Sequence, residues 1–243
     1  MLEFFSNSLV TGFWNSSGMG RTIVLFQLLG SLAMVTFIIG KLRELSDLHK
    51  VTRRVIRDIM GARSVLDHFL ARKDSEHSPV ENIYSCTCDR VLRQLTPDVR
   101  SLLMGRQSGG VNAALSKHEM GLVKSIAEHA LDEESLRVEK GMGVIATVVA
   151  LAPMLGLLGT VWGVLDAFAD MGAAGSATIA TMAPAISSAL VTTVVGLLIA
   201  IPGVMAHNYL SAKLRSLVAE IEGFVDDLMG RIGLEFQESG RGA

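Results

Sequence analysis

Two apolar stretches decide the fold: GMGVIATVVALAPMLGLLGTVWGVL at residues 141–165 and ATIATMAPAISSALVTTVVGLLIAIPGVMA at residues 177–206. Neither contains a charged side chain, and the short segment 166–176 joins them. An α-helix rises about 1.5 Å per residue, so about 20 residues cross a hydrocarbon core of about 30 Å. Because each stretch exceeds that length, the pair predicts a transmembrane helical hairpin.

A third charge-free run, residues 22–40, lies near the N-terminus between Arg21 and Lys41. Its apolar part is too long for the core of a typical signal peptide, and no small-residue cleavage site follows it. We therefore expect a retained first transmembrane helix. The composition, 49% hydrophobic with a mean hydropathy of +0.41, agrees with an all-α membrane protein that has three transmembrane helices.

Basic residues predict the orientation of these helices. Seventeen of the 22 Lys and Arg residues lie in residues 41–140. Since cytoplasmic segments carry the excess of Lys and Arg, this segment and the tail 207–243 are predicted to be cytoplasmic. Residues 1–21 are then a periplasmic, interfacial segment, and 166–176 form a periplasmic loop.

The segment 41–140 reads as a cytoplasmic helical bundle, because it balances its 17 basic residues with 15 acidic ones and keeps apolar residues at helical spacing. The tail has an apolar seam close to a heptad pattern. It consists of Leu210, Leu214, Leu217, Ile221, Phe224, Leu228 and Ile232. This helix is predicted to pack either on symmetry mates or on its own cytoplasmic helices, and the pattern does not choose between them.

Two features of the cytoplasmic segment resemble sites. Cys86 and Cys88 form a C-x-C, but a zinc site needs a second ligand pair at suitable spacing, so two reduced thiols are favoured. Arg53, Arg54 and Arg57 have Asp47 and Asp58 as acidic neighbours, which favours a solvated helix face near lipid headgroups over a nucleic-acid site. We expect no nucleic-acid partner.

The three apolar runs contain no His, Cys, Lys, Arg or Glu. Haem anchoring by paired histidines is therefore excluded, and the chain has no H-E-x-x-H, Walker A or G-x-S-x-G motif. We expect neither an enzyme nor a bound cofactor. Hydroxyls, glycines and prolines are left to carry any function of the spans.

The hydroxyls form a pattern. At about 100° per residue, Thr181, Ser188 and Thr192 lie within about 40° of one another, whereas Thr193 lies about 100° away. With Thr160 on the second span, they predict a polar lining in an apolar layer. The alternative is that each hydroxyl bonds to a carbonyl of its own helix.

Glycines and prolines in the second and third spans suggest helix packing. The G-x-x-x-G spacing of Gly159 and Gly163 lets two helices approach closely. The candidates are Gly156, Gly159, Gly163, Pro153 and Pro184.

Asp166 and Asp170 stand one turn apart at the outer end of the second span. Interfacial carboxylates that end a span are favoured there over a cation-concentrating vestibule.

The segments APMLGLLGTVWG (152–163) and PAISSALVTTVVGLLIAIP (184–202) resemble the second-span and third-span signatures of the ExbB/TolQ/MotA family. The resemblance implies a ring-forming homopentamer in the bacterial inner membrane. The ring would enclose a single-span ExbD/TolR-like subunit whose membrane Asp carries the ion. Ion flow would drive a TonB-like, TolA-like or gliding effector, with Thr160 and Thr193 lining the ion path.

The sequence departs from this pattern at Ser188, where proton-driven members carry Glu. The transported ion is therefore H+ or Na+, since an oxygen-only lining suits a hard cation. Two rival functions stay open: a passive membrane scaffold for an envelope complex, and a self-contained cation channel.

Overall fold

The computed structural model describes residues 14, 18–62, 64–71, 78–95, 114–174 and 179–236. Regular structure in these ranges is helical, in the order α1 Gly18–Gly61, α2 Val65–Ala71, α3 Pro79–Gln94, α4 Lys117–Glu139, α5 Met142–Ala174 and α6 Ile179–Phe236. Three of these helices, α1, α5 and α6, are long and apolar enough to cross a membrane. The all-helical chain with three long apolar helices is thus as predicted.

The chain divides into two compact units. The membrane unit consists of residues 1–42 and 141–211, and the polar unit of residues 43–140 and 212–243. The described helices overrun several predicted boundaries. Helix α5 continues to Ala174, so most of the predicted loop 166–176 is helical, and most of the predicted segment 1–21 lies outside the described residues.

Local chemistry sets the bounds of α4. The Ser116 hydroxyl accepts from the Glu119 backbone N–H at 3.2 Å, and the Glu119 carboxylate accepts from the Ser116 N–H at 2.8 Å. This reciprocal capping box satisfies two N–H groups that a helix start leaves unpaired, and the Ser116 backbone N–H lowers the pKa of Glu119. At the other end, Gly141 adopts a φ of 92°, which favours glycine and separates α4 from α5.

The polar unit buries the apolar seam of the tail. Leu214, Leu217, Ile221, Phe224, Leu228 and Ile232 are each at most 8% exposed. Their partners belong to the same chain, so the seam packs on the chain's own helices and is not free for symmetry mates. On the surface of this packing, Arg53 Nε donates to Glu220 Oε1 at 2.8 Å, which links α1 to α6.

One turn of α6 fixes the connection from α1 to α2. The Arg231 guanidinium donates to the carbonyls of Ile59 at 3.2 Å, Met60 at 3.1 Å and Ala62 at 2.7 Å. Glu235 accepts from the Ser64 hydroxyl and from the Val65 N–H. The two charged side chains therefore pair with backbone groups that a helix end and a helix start leave unsatisfied.

The two cysteines of the polar unit lie in different environments. Cys86 is exposed, whereas Cys88 is buried beside Tyr84, whose hydroxyl donates to the Val65 carbonyl. Burial raises the pKa of the Cys88 thiol to about 12. Both thiols are free, and the described part of the chain contains no cluster of three or more His, Cys, Asp or Glu able to hold a metal.

In the membrane unit, α5 and α6 approach through glycines. A Cβ placed on Gly163 would lie 2.6 Å from the Cβ of Ala189, and one on Gly156 would lie 2.8 Å from the Cα of Thr193. A Cβ on Gly159 would overlap the side chain of Thr192. These three predicted packing residues therefore lie along one face of α5, directly against α6.

The prolines behave differently from these glycines. Pro153 is half-buried in α5. Pro184 is exposed on α6, so the described helices do not bury it as the predicted packing role requires. A residue outside the predicted set, Gly196, completes the contact. A Cβ on Gly196 would lie 2.5 Å from the Ala152 carbonyl oxygen.

We expect the substitution Gly196→Ala to destabilise the membrane unit, because its methyl group would press on backbone that has no room to move. Overpacking of this kind costs about 1–3 kcal/mol. The measurement is the thermal midpoint at which the detergent-purified protein loses its monodisperse elution. The matched control is Gly143→Ala on α5, where a Cβ would meet nothing within 4 Å. Equal midpoints for the two variants would contradict the packing described here.

The substitution Arg231→Ala is expected to destabilise the polar unit, because it removes a charged donor from three carbonyls. Loss of such bonds costs about 1–3 kcal/mol. Thermal unfolding followed by circular dichroism measures the effect. The control is Arg93→Ala, which breaks an exposed pair with Asp89 worth only about 0.3–0.5 kcal/mol. An Arg231→Ala midpoint no lower than that of the control would disprove the role of Arg231.

Candidate functional site

The hydroxyls of α6 divide between buried and partly exposed positions. Thr192 is 1% exposed, and its Oγ1 lies 2.7 Å from the Ala189 carbonyl and 3.0 Å from the Gly156 carbonyl. One proton shared between these acceptors joins α6 to α5. In the membrane unit, Thr192 thus serves the contact between the two helices.

Ser188 lies one turn away on the same buried face. It is 4% exposed, and its Oγ donates to the Ala185 carbonyl at 2.8 Å. This is the own-helix bond that membrane helices commonly use to satisfy a hydroxyl. Ser188 and Thr192 therefore share a face, as their spacing implies, and that face is turned toward the protein interior. The side chain of Thr181 lies outside the described residues.

Thr160 has a different setting. It is partly exposed on α5, and its Oγ1 donates to the Leu157 carbonyl at 2.7 Å. It borders an open depression of about 520 Å³ whose other lining residues are apolar: Val161, Val164, Leu165 and Phe168. Thr160 is thus a hydroxyl at the edge of an otherwise apolar surface that the described helices leave uncovered.

Thr193 completes the set. The residue is partly exposed, but its Oγ1 is enclosed and has no hydrogen-bond partner among the described residues. Its backbone lies against Gly156, whereas Thr192 lies against Gly159, the neighbour of Thr160. Thr160 and Thr193 therefore stand at levels of the hairpin about one helical turn apart.

The two carboxylates of the candidate vestibule both belong to α5. Asp166 is partly exposed and Asp170 is exposed, one turn further along the helix. They extend the polar end of a helix that has no charged residue between Met142 and Leu165. Their position suits carboxylates that end a span, and a vestibule role stays a prediction.

A polar residue of the first span was missed by the sequence analysis. Gln27 is 3% exposed, and its Nε2 donates to the Ala152 carbonyl of α5 at 3.0 Å. The signal was present, since an amide inside an apolar run of 19 residues is costly unless it is paired. Gln27 was not among the predicted site residues, because an amide does not titrate and only titratable and hydroxyl side chains were considered.

The hydroxyls of the three apolar runs offer oxygen atoms, and these runs contain no acid. Hydroxyls both donate and accept hydrogen bonds, so they can pass protons through water or take part in coordinating a hard cation. Without a carboxyl or imidazole in the runs 22–40, 141–165 and 177–206, they cannot store a proton. The hydroxyls therefore supply hydrogen-bond donors and acceptors but no group that binds a proton.

Comparison with known proteins bears on this geometry. The family model of the MotA/TolQ/ExbB proton channel family matches residues 100–223, which include Thr160 and Thr193. The chain is 41% identical over 121 residues to the biopolymer transport protein ExbB of Xanthomonas campestris pv. campestris (strain B100). The aligned residues cover 50% of this chain and 47% of that protein.

Two further relatives give a similar picture. The Tol-Pal system protein TolQ of Haemophilus influenzae is 39% identical over 98 residues, 40% of this chain and 43% of TolQ. The ExbB of Neisseria gonorrhoeae is 40% identical over 96 residues, 40% of this chain and 44% of that protein. The chain spans less than half the length of these curated relatives. With half of its residues matched by the family model, the chain belongs to the MotA/TolQ/ExbB proton channel family.

Proposed function

We propose that this chain is the ring-forming, energising subunit of an envelope motor in the bacterial inner membrane. It works with an ExbD/TolR-like single-span subunit and couples the flow of H+ or Na+ to mechanical work on a TonB-like, TolA-like or gliding effector. The observation that carries the proposal is Thr160, a hydroxyl on an uncovered face of α5 within the residues matched by the family model.

The need for a partner follows from the chemistry of the spans. The runs 22–40, 141–165 and 177–206 contain no titratable side chain, so this chain alone holds no proton acceptor at the depth of Thr160. A membrane Asp lent by a single-span subunit would supply one. Its charge is costly in lipid, and a hydroxyl-bearing surface lowers that cost.

The surface around Thr160 suits a ring with the partner at its centre. The neighbouring residues Leu157, Val161 and Leu165 are exposed and apolar, so they are available to other helices. One charge that crosses 100 mV releases only about 2.3 kcal/mol. Useful work therefore requires repeated small steps, and a homopentamer around an asymmetric partner provides equivalent positions for them. In this arrangement the N-terminus is periplasmic and the C-terminus cytoplasmic.

We expect Thr160→Val to stop ion transport while leaving the fold intact, because valine matches the shape of threonine and removes only the hydroxyl. A fall of about tenfold or more in flux corresponds to about 1.4 kcal/mol of lost stabilisation. The assay is ion flux into proteoliposomes containing this chain and its co-purified small subunit. The control is Thr147→Val, which removes an exposed own-helix hydroxyl from the same helix.

Other outcomes of this assay would overturn the proposal. Full activity of Thr160→Val in the driven envelope process would identify a passive scaffold. Conduction by this chain without any small subunit would identify a self-contained cation channel.

Ser188 bears on which ion is transported, because it stands where proton-driven relatives are expected to carry Glu. An oxygen-only lining suits a hard cation, so Na+ is the ion that we propose to test against H+. Replacing Na+ by K+ at fixed pH should abolish flux in the same proteoliposomes. Unchanged flux would exclude sodium and leave H+ as the ion.

A further inference from the structure

We propose that Gln27 is a positioning residue of the ion path, and that its amide oxygen and the Thr193 hydroxyl share one bound water molecule beside Gly156. The inference rests on the proposed function, in which Thr193 lines that path. It adds a residue of the first span, α1, to a site otherwise built from α5 and α6.

The amide of Gln27 lies in a notch made by two glycines. Its Nε2 would be 2.9 Å from a Cβ placed on Gly196 and 3.5 Å from one placed on Gly156. Only residues without a side chain leave room for the amide at this level of α5 and α6. The two glycines therefore leave space for the Gln27 amide between the apolar helices α1, α5 and α6.

The orientation of the amide is set by its donor. Nε2 donates to the Ala152 carbonyl at 3.0 Å, and this bond leaves Oε1 as the free end of the group. Oε1 is buried and has no hydrogen-bond partner in the part of the chain that the structure describes. A buried amide oxygen in an apolar layer needs a donor, because an unsatisfied acceptor is costly there.

The Thr193 hydroxyl is the matching group. Its Oγ1 is also enclosed, and no described residue forms a hydrogen bond with it. The same point beside Gly156 that is 3.5 Å from Gln27 Nε2 is 2.8 Å from Thr193 Cα and 3.0 Å from the Thr192 carbonyl oxygen. A water between Oε1 and Oγ1 would satisfy both atoms, since it can donate to the amide oxygen and either donate to or accept from the hydroxyl.

Such a water would fix the direction of the Thr193 hydroxyl. A hydroxyl free to rotate presents its proton and its lone pairs in turn, whereas one held by a bound water keeps a single orientation. Gln27 would therefore act through Thr193, without touching the ion itself.

The first test is a high-resolution electron-microscopy map of the purified full-length protein in nanodiscs with its co-purified small subunit. The expected result is an ordered water about 2.6–3.2 Å from both Gln27 Oε1 and Thr193 Oγ1. The proposal would be overturned by density for apolar side chains in the space between these two atoms. It would also be overturned if Gln27 Oε1 and Thr193 Oγ1 each formed a direct hydrogen bond with another protein group.

The second test is a double-mutant cycle on ion flux in proteoliposomes, with Gln27→Met, Thr193→Val and the two combined. Gln27→Met should raise the ion concentration for half-maximal flux by roughly three- to tenfold, as expected for the loss of one hydrogen bond. The double variant should be no worse than Thr193→Val alone. The control is Thr36→Val, an exposed hydroxyl on α1 that bonds to its own helix.

The failures are distinguishable. Additive effects, or a Gln27→Met protein that behaves like the control, would overturn the role of Gln27 and leave the proposed function standing. Absence of ion flux in the wild-type complex would instead overturn the proposed function. If Gln27→Met does not fold, the map of the unmodified protein still decides the question.

Discussion

The close approach of α5 to α6 is the contact on which the membrane unit depends. Gly156, Gly159 and Gly163 offer no side chain to α6, so the Thr192 hydroxyl reaches the Gly156 carbonyl across the interface. In lipid, helices gain little from burying apolar surface against each other, and association relies on tight packing and interhelical hydrogen bonds. Both are present here at the same level of the hairpin.

This tight contact also decides which hydroxyls remain available. Ser188 and Thr192 are both buried, and their hydroxyls are bonded to carbonyls, that of Ser188 within α6 and that of Thr192 also across to α5. Thr160, on the adjacent face of α5, stays partly exposed, whereas the Thr193 hydroxyl is enclosed and has no partner within the described ranges. Buried and partly exposed hydroxyls thus lie on neighbouring positions of the same helices, which is why the spacing of hydroxyls alone did not separate them.

The polar unit follows ordinary water-soluble rules. Its seam of leucines and isoleucines is buried within the chain, and Arg231 and Glu235 satisfy the backbone groups left open where α1 ends and α2 begins. A long tail helix with this pattern is equally compatible with a coiled coil between subunits. Only the observed burial shows that the chain supplies its own partners.

The sequence by itself determined the three apolar helices, the glycine face of α5 and the family, because hydropathy over about 20 residues and fixed motif spacing are local properties. The tertiary structure decided the rest. It extended α5 through the predicted loop to Ala174, left Pro184 exposed, assigned the tail to its own chain and placed Gln27 beside Gly156 and Gly196. These outcomes depend on which residues of distant segments meet, and helical periodicity gives the face of a residue without naming its partner.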